Sequence, residues 1–89
     1  MNAEKRIEKL NALFKRKEKE MGVTVLEHYE VEKDDTVFVI CHRQSDDTYI
    51  VWKTYSTGEE RTTYENFFGG QYDLPSLKAA REEVERLMQ

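Results

Sequence analysis

The run TVFVICHR at residues 36–43 is the most apolar stretch of this 89-residue chain. Its valine, isoleucine and phenylalanine favour extended backbone, and eight residues suit one strand better than one helix. Turn-forming sequences border it on both sides, KDD at 33–35 and QSDD at 44–47. We therefore expect a central strand here, joined by turns to a strand on either side.

The segment before this strand, VTVLEHYEVE at 23–32, is rich in β-branched residues. Its alternation places Val23 and Val25, and then Tyr29 and Val31, on one face. The segment after it, TYIVWKTYS at 48–56, predicts a third strand.

A fourth strand is expected in ERTTYENF at 60–67, after a hairpin at Thr57-Gly58. A three-residue loop with Gly58 in the left-handed conformation places Tyr64 opposite Ile50. A slip of one residue places Tyr64 opposite Val51 and exchanges the two faces of the strand. Both registers remain open at this point.

Two amphipathic segments enclose these strands. Residues 3–21 predict a first helix that ends at Gly22, with an apolar stripe of Ile7, Leu10, Phe14 and Met21 and with Leu13 beside it. Gly69-Gly70 is expected to end the sheet, and Asp73 or Ser76 to cap a second helix near Pro75. The apolar stripe of that helix is Leu77, Ala80, Val84 and Leu87.

These elements predict a single α+β domain over 1–89, in the order α-β-β-β-(β)-α. We expect an antiparallel sheet of three or four strands with both helices on one face. The N-terminus lacks the apolar run of a signal peptide, and one cysteine rules out an internal disulfide framework. These features favour a cytoplasmic protein, in the host cytoplasm if it is encoded by a phage, with no membrane contact.

Charge is unevenly distributed along the chain. Residues 1–21 carry seven Lys and Arg against four Glu, a net charge of +3. The remaining residues carry 14 acidic against seven basic side chains, a net charge of −7. This uneven charge bears on which partners the chain binds and on how they are steered towards it, and not on its fold.

We expect neither a catalytic site nor a metal-binding site from this sequence. Cys41, His42 and His28 form the one Cys/His group of the sequence. Adjacent strand residues point to opposite faces, so Cys41 and His42 do not easily share a metal or act as nucleophile and base. One register would bring His28 opposite Cys41, but no oxyanion hole accompanies that pair. We predict a non-enzymatic protein without cofactor or metal.

Three acidic pairs lie at the predicted turns, where aspartate also favours local backbone hydrogen bonds. Their spacing is not that of a calcium loop. Successive turns alternate between the ends of a meander, so the first and third pairs would lie together and the second opposite. The pairs are Asp34-Asp35, Asp46-Asp47 and Glu59-Glu60.

Nine aromatic residues fall between 29 and 72, more than one sheet face needs. With both helices on one side, the other face would expose tyrosine and tryptophan, and exposed aromatic patches often mark interfaces. The alternative is that packing buries most of them. The aromatic residues expected to bind a protein partner are Tyr64, Phe67, Phe68 and Tyr72.

The first helix also supports a nucleic-acid hypothesis, because Lys5, Lys9 and Arg16 lie on overlapping faces. Interleaved glutamates can pair with these bases at i, i+4. The segments IEKLNALF and LPSLKAAREEVERLM resemble the two helices of the double-stranded-RNA-binding domain in topology. That family carries a lysine cluster at the start of its second helix, and this chain has Lys78 alone there.

A second resemblance covers residues 48–86, with a Val-Trp strand, a glycine hairpin, an aromatic-glycine break and a helix beginning LPSLKAA. This segment resembles small α+β proteins of phages and mobile elements, a group that includes anti-CRISPR and other anti-defence proteins. The resemblance implies a small, acidic, non-catalytic inhibitor.

The sequence therefore predicts a protein-interaction module that blocks a basic nucleic-acid-binding site on a target protein. Its binding residues would be the aromatic set above together with Asp34, Asp35, Glu59 and Glu60. The alternatives are a nucleic-acid-binding domain acting through the first helix, and a structural homodimer.

Overall fold

A computed structural model describes residues 3–31, 36–55 and 67–89. It has two helices and a four-stranded antiparallel sheet, which confirms the predicted α+β fold. The strands lie in the order β1-β2-β3-β4. The elements are α1 (Ala3–Met21), β1 (Val23–Val31), β2 (Thr36–Arg43), β3 (Thr48–Tyr55), β4 (Phe68–Leu74) and α2 (Leu77–Met88).

Local hydrogen bonds fix the C-terminal end of α1 and the N-terminal start of α2. Gly22 adopts φ of +67° and its N–H donates to the Glu18 carbonyl at 3.0 Å, which ends α1 as predicted. Ser76 caps α2, because its Oγ accepts a hydrogen bond from the Ala79 N–H at 3.0 Å. Of the two predicted capping residues, Asp73 and Ser76, it is Ser76 that caps α2. Neither helix is long and apolar enough to cross a membrane.

The helices cover opposite faces of the sheet, which corrects the expectation that they share one face. In β2, Val37, Val39 and Cys41 belong to the cluster under α1. Phe38 and Ile40 belong to the cluster under α2. All five side chains are buried, because β2 is apolar on both faces and a strand alternates its side chains.

The two helices contribute different side chains to these clusters. Leu10, Leu13 and Phe14 are buried beneath α1, whereas Met21, expected in the stripe, is 38% exposed. The predicted stripe of α2 is confirmed: Ala80 and Val84 are buried, and Leu77 and Leu87 pack at the border of the cluster.

A bulge in β1 changes which residues share a face. Val25 pairs with Cys41 but Glu27 pairs with Ile40, so Leu26 is an extra residue on β1. Val23 and Val25 therefore face α1, and Tyr29 and Val31 face α2. The expectation that all four share one face was wrong for this reason.

Gly69 and Gly70 lie inside β4, so they do not end the sheet. β4 pairs with β3 through Lys53 opposite Phe68 and Val51 opposite Gln71. The predicted strand at 60–67 and the Gly58 hairpin fall almost wholly outside the described residues. Tyr64 lies outside the described residues, so its two proposed registers stay predictions; the residue opposite Val51 is Gln71.

Candidate protein-binding surface

A groove opens on the α1 side of the sheet, at the end where α1 leads into β1. We call it the Tyr72 groove, and its volume is about 280 Å³. It has a buried aliphatic and indole floor with partly exposed walls. Its lining residues are Met21, Val23, Arg43, Ile50, Trp52 and Tyr72.

Tyr72 forms one wall of the Tyr72 groove and contacts Trp52 in its floor. The Trp52 Nε1–H donates to the Tyr72 hydroxyl at 3.1 Å, and the two rings meet edge to face at 85°. Trp52 is buried, whereas Tyr72 is 52% exposed. A buried indole therefore holds an exposed phenol in a fixed orientation, which suits Tyr72 to contact another molecule.

Gly70 makes this aromatic arrangement sterically possible. A Cβ at this position would lie 2.5 Å from Trp52 Nε1 and 2.6 Å from Tyr72 Cζ. Its neighbour Gly69 serves a different purpose, since it has φ of +61° and lies at a bulge of β4. Gly69 therefore accommodates the bulge, and Gly70 leaves room for the Trp52 and Tyr72 rings.

Arg43 forms the charged wall of the Tyr72 groove. Its Nε and Nη2 donate to the two carboxylate oxygens of Asp46 at 3.0 and 2.6 Å. Its Nη2 also donates to Asp73 at 2.9 Å. Asp73 comes from β4, where it holds φ of +61° at the second bulge. The guanidinium is therefore fixed as a plate between the β2–β3 turn and β4.

The carboxylates around Arg43 give this end of the sheet an acidic rim, which we define as Asp46 and Asp73. Hydrogen bonds from Arg43 and then from Thr48 lower the pKa of Asp46 to about 2. Two carboxylates against one guanidinium leave a net charge of −1. Asp47, in the same turn, has a side chain 88% exposed, and its Oδ1 lies 2.7 Å from His42 Nε2, from which it accepts a hydrogen bond when that nitrogen carries a proton. Asp46 is thus ionised at neutral pH, and both carboxylates of the rim are open to solvent.

Cys41, His42 and His28, the Cys and His residues noted in the sequence, are not paired with one another in the sheet. Cys41 lies in the cluster under α1, and burial, with the Glu18 charge as a smaller cause, raises its pKa to about 12. His28 pairs with Val39 on β2 and packs its ring 5.3 Å from that of Phe14. The His42 ring lies 4.9 Å from the Tyr49 ring at an interplanar angle of 49°. Within the described residues, no three His, Cys, Asp or Glu side chains are placed to hold a metal ion.

The predicted protein-binding residues have different outcomes. Asp34, Asp35, Glu59, Glu60 and Tyr64 lie outside the described residues, as does the side chain of Phe68. Phe67 is buried, 6.1 Å from the Phe14 ring and 5.5 Å from the Trp52 ring, so it belongs to the core. Tyr72 remains as the exposed aromatic residue at the groove.

The predicted nucleic-acid-binding residues are described in part. The side chains of Lys5 and Lys9 lie outside the described residues. Arg16 is exposed and forms an ion pair with Glu20 at 3.9 Å. Of the two alternatives for the aromatic sheet face, the described residues favour burial, because each face of the sheet carries a helix and Trp52 is buried.

Sequence reasoning missed Arg43, Met21 and Asp73 as groove residues. An arginine that ends an apolar strand beside an Asp-rich turn is a usable signal for an ion pair. For Met21 and Asp73 there is no comparable signal, because their positions depend on the end of α1 and on the bulges of β4. No protein-family model, curated protein or solved structure matches this chain.

Proposed function

We propose that this chain is a non-catalytic protein-interaction module that binds a basic surface of a partner protein through the Tyr72 groove. The observation that carries the proposal is the combination of an exposed, oriented Tyr72 with the acidic rim around Arg43. Tyrosine is enriched among residues that dominate binding energy at interfaces, and a charged rim steers association and selects partners.

Charge favours a protein partner over a nucleic acid at this surface. The acidic rim repels phosphate groups, whereas nucleic-acid binding draws much of its affinity from Lys and Arg on phosphates. On α1, Arg16 already pairs with Glu20 and Lys17 pairs with Glu20 at 3.0 Å. Pairing of this kind reduces the positive potential that a phosphate would meet.

The specific form of this proposal is an inhibitor of phage or mobile-element origin that acts in the host cytoplasm. Its net charge of −4 and the acidic rim support a target whose own binding site is basic. The chain would occupy that site and exclude nucleic acid. Asp34, Asp35, Glu59 and Glu60 stay predicted contributors, and their replacement by lysine is expected to slow association with the target.

Two matched double variants test the proposal. Asp46→Asn with Asp73→Asn removes two charges from the acidic rim, and asparagine tolerates the left-handed conformation of residue 73. Glu82→Gln with Glu85→Gln removes two charges from the exposed side of α2. Each tagged variant and the parent chain serve as bait in host-cell lysate, and the association rate of the captured protein is then measured.

We expect the rim variant to associate about two- to fourfold more slowly than the parent at low salt. Two charges at about 10 Å contribute about 0.4 kcal/mol each in water before screening. The α2 variant should match the parent, and nucleic acid should compete with the chain for the captured protein. If both variants associate equally slowly, the effect comes from net charge and not from the acidic rim, and the proposal is wrong.

A gel-shift titration at low salt tests the alternative function, nucleic-acid binding through α1. Tight nucleic-acid binding that is lost when Lys5, Lys9 and Arg16 are replaced would favour α1 as the functional surface. Sedimentation at two concentrations covers the homodimer, which would show a concentration-dependent mass without any partner.

A further inference from the structure

We infer that the Tyr72 groove accepts a single aromatic side chain of the partner, presented on a short basic segment. This inference rests on the proposed function and specifies the chemistry of the partner. It depends on three partly exposed walls, Met21, Arg43 and Tyr72, whose chemistry favours an aromatic ring.

The size of the groove limits the occupant to one side chain. Pockets for drug-sized ligands occupy about 300–1,000 Å³, and the Tyr72 groove at about 280 Å³ lies at the lower limit. Its floor of Val23, Ile50 and Trp52 is buried and apolar. The occupant is therefore one bulky apolar group.

The walls distinguish an aromatic occupant from an aliphatic one. The Arg43 guanidinium is a planar group that two carboxylates hold in place, and such plates stack on aromatic rings. Met21 is 38% exposed, and its flexible thioether makes favourable contacts with rings. Tyr72 supplies a third surface, for edge-to-face contact.

The acidic rim selects the residues beside the ring. Asp46 and Asp73 have side chains 44% and 74% exposed, so each carboxylate can accept further hydrogen bonds while it holds Arg43. Lysine or arginine on either side of the aromatic residue would meet these carboxylates. Acidic neighbours would meet a net negative charge instead.

Four blocked pentapeptides test the inference: Lys-Lys-Phe-Lys-Lys, its leucine and alanine analogues, and Glu-Glu-Phe-Glu-Glu. Each is titrated into the chain at millimolar concentration and followed by NMR. Because Trp52 is the one tryptophan of the sequence, its indole N–H signal reports on the groove without ambiguity. The methyl signal of Met21 provides a second reporter.

We expect the phenylalanine peptide to shift both signals and to bind about fivefold more tightly than the alanine peptide, as partial burial of a ring predicts. The leucine peptide should lie between them, and the glutamate peptide should leave the signals unchanged. Met21→Ala should weaken binding of the phenylalanine peptide about threefold. Met88→Ala, which removes a methionine 45% exposed on α2, should have no effect.

Equal affinities for the phenylalanine and leucine peptides would overturn the aromatic specificity. Equal affinities for the phenylalanine and alanine peptides would overturn the anchor altogether. If no peptide binds but the double variant Asp46→Asn, Asp73→Asn still captures less of a partner than the parent chain, this inference is wrong and the proposed function stands. If the peptides bind as expected and no partner is captured, the proposed function fails instead.

Discussion

The substitution Gly70→Ala tests the packing that orients Tyr72. Without steric conflict, alanine stabilises a strand position over glycine by roughly 0.5–1 kcal/mol. Here the added methyl group would lie 2.5 Å from Trp52 Nε1 and 2.6 Å from Tyr72 Cζ. Carbon atoms pack best at about 3.5–4.0 Å, so each ring must move by roughly 1 Å.

The magnitude follows from what each ring loses. Tyr72 is half exposed and can swing outwards, which sacrifices its hydrogen bond from Trp52 (about 1 kcal/mol) and the ring contact (about 0.5–1.5 kcal/mol). Trp52 is buried against Phe67, so its displacement adds an overpacking cost of about 1–3 kcal/mol. Less the gain from alanine, we expect a loss of about 2–5 kcal/mol in the free energy of unfolding.

Urea unfolding followed by far-ultraviolet circular dichroism measures this loss, with Trp52 fluorescence as a second probe. For a domain of this size, the same loss lowers Tm by roughly 10–25 °C. Gly69→Ala is the matched control, because its Cβ would meet nothing nearer than Lys53 Cδ at 3.6 Å and costs about 1 kcal/mol through φ alone. A Gly70→Ala chain as stable as the Gly69→Ala chain would refute the reasoning.

Three further outcomes are expected. Ser76→Ala should lower the free energy of unfolding by about 1 kcal/mol in urea titrations, through loss of the α2 cap. Cys41 should resist thiol reagents at pH 8 until the chain is unfolded, because it is buried and its pKa is raised to about 12. Hydrogen bonds from Arg81 and then Tyr29 lower the pKa of Glu27 from 4.5 to about 2, so stability from this group is present above pH 4.5 and lost as pH falls towards 2. Glu27→Gln should therefore cost about 1 kcal/mol at pH 7, a value discounted for the exposure of Arg81, and progressively less as pH falls through about 2.

Each outcome has a control and a contrary result. Ser45→Ala changes an exposed turn serine and should leave stability unchanged, so an equal effect there would contradict the cap. Modification of Cys41 at the rate of a free thiol in the folded chain would contradict its burial. A Glu27→Gln deficit of the same size at pH 7 and pH 2.5 would show that charge on Glu27 is not its source.

The strand pattern predicted the sheet but not its two covered faces. Residues 37–41 of β2 are apolar without interruption, a pattern typical of a strand buried on both sides. That signal alone indicates a helix on each face. The bulge at Leu26 is different, because Val25 and Tyr29 keep even spacing in the sequence while the extra residue moves them to opposite faces.

The glycine pair was misassigned for a physical reason. Glycine is depleted in strands, so Gly69-Gly70 indicated the end of the sheet. Its actual roles depend on partners far away in sequence, since the methyl-free surface of Gly70 matters only beneath Trp52. The Tyr72 groove has the same origin: its residues span 21 to 72 and meet only in one register.

Among the described residues, both edge strands of the sheet are poor sites for adding a strand. On β1, the bulge at Leu26 interrupts the ladder and Glu27 points towards the α2 face, where Arg81 pairs with it. On β4, bulges at Gly69 and Asp73 interrupt the regular pairing with β3 and distort the strand. Bulges and inward-pointing charges are devices that protect edges from pairing. A partner is therefore expected to dock side chains in the groove and not to extend the sheet.

Asp73 links edge protection to the groove, because its backbone forms the bulge and its carboxylate holds Arg43. Asp73→Gly keeps the left-handed conformation and removes the carboxylate, so stability should change by less than about 1 kcal/mol while affinity for Lys-Lys-Phe-Lys-Lys falls. Asp73→Val places a β-branched residue at φ of +61° and should cost about 1–2 kcal/mol more in urea unfolding. If valine is tolerated as well as glycine, the left-handed conformation at residue 73 does not constrain the fold, and the link between bulge and groove is wrong.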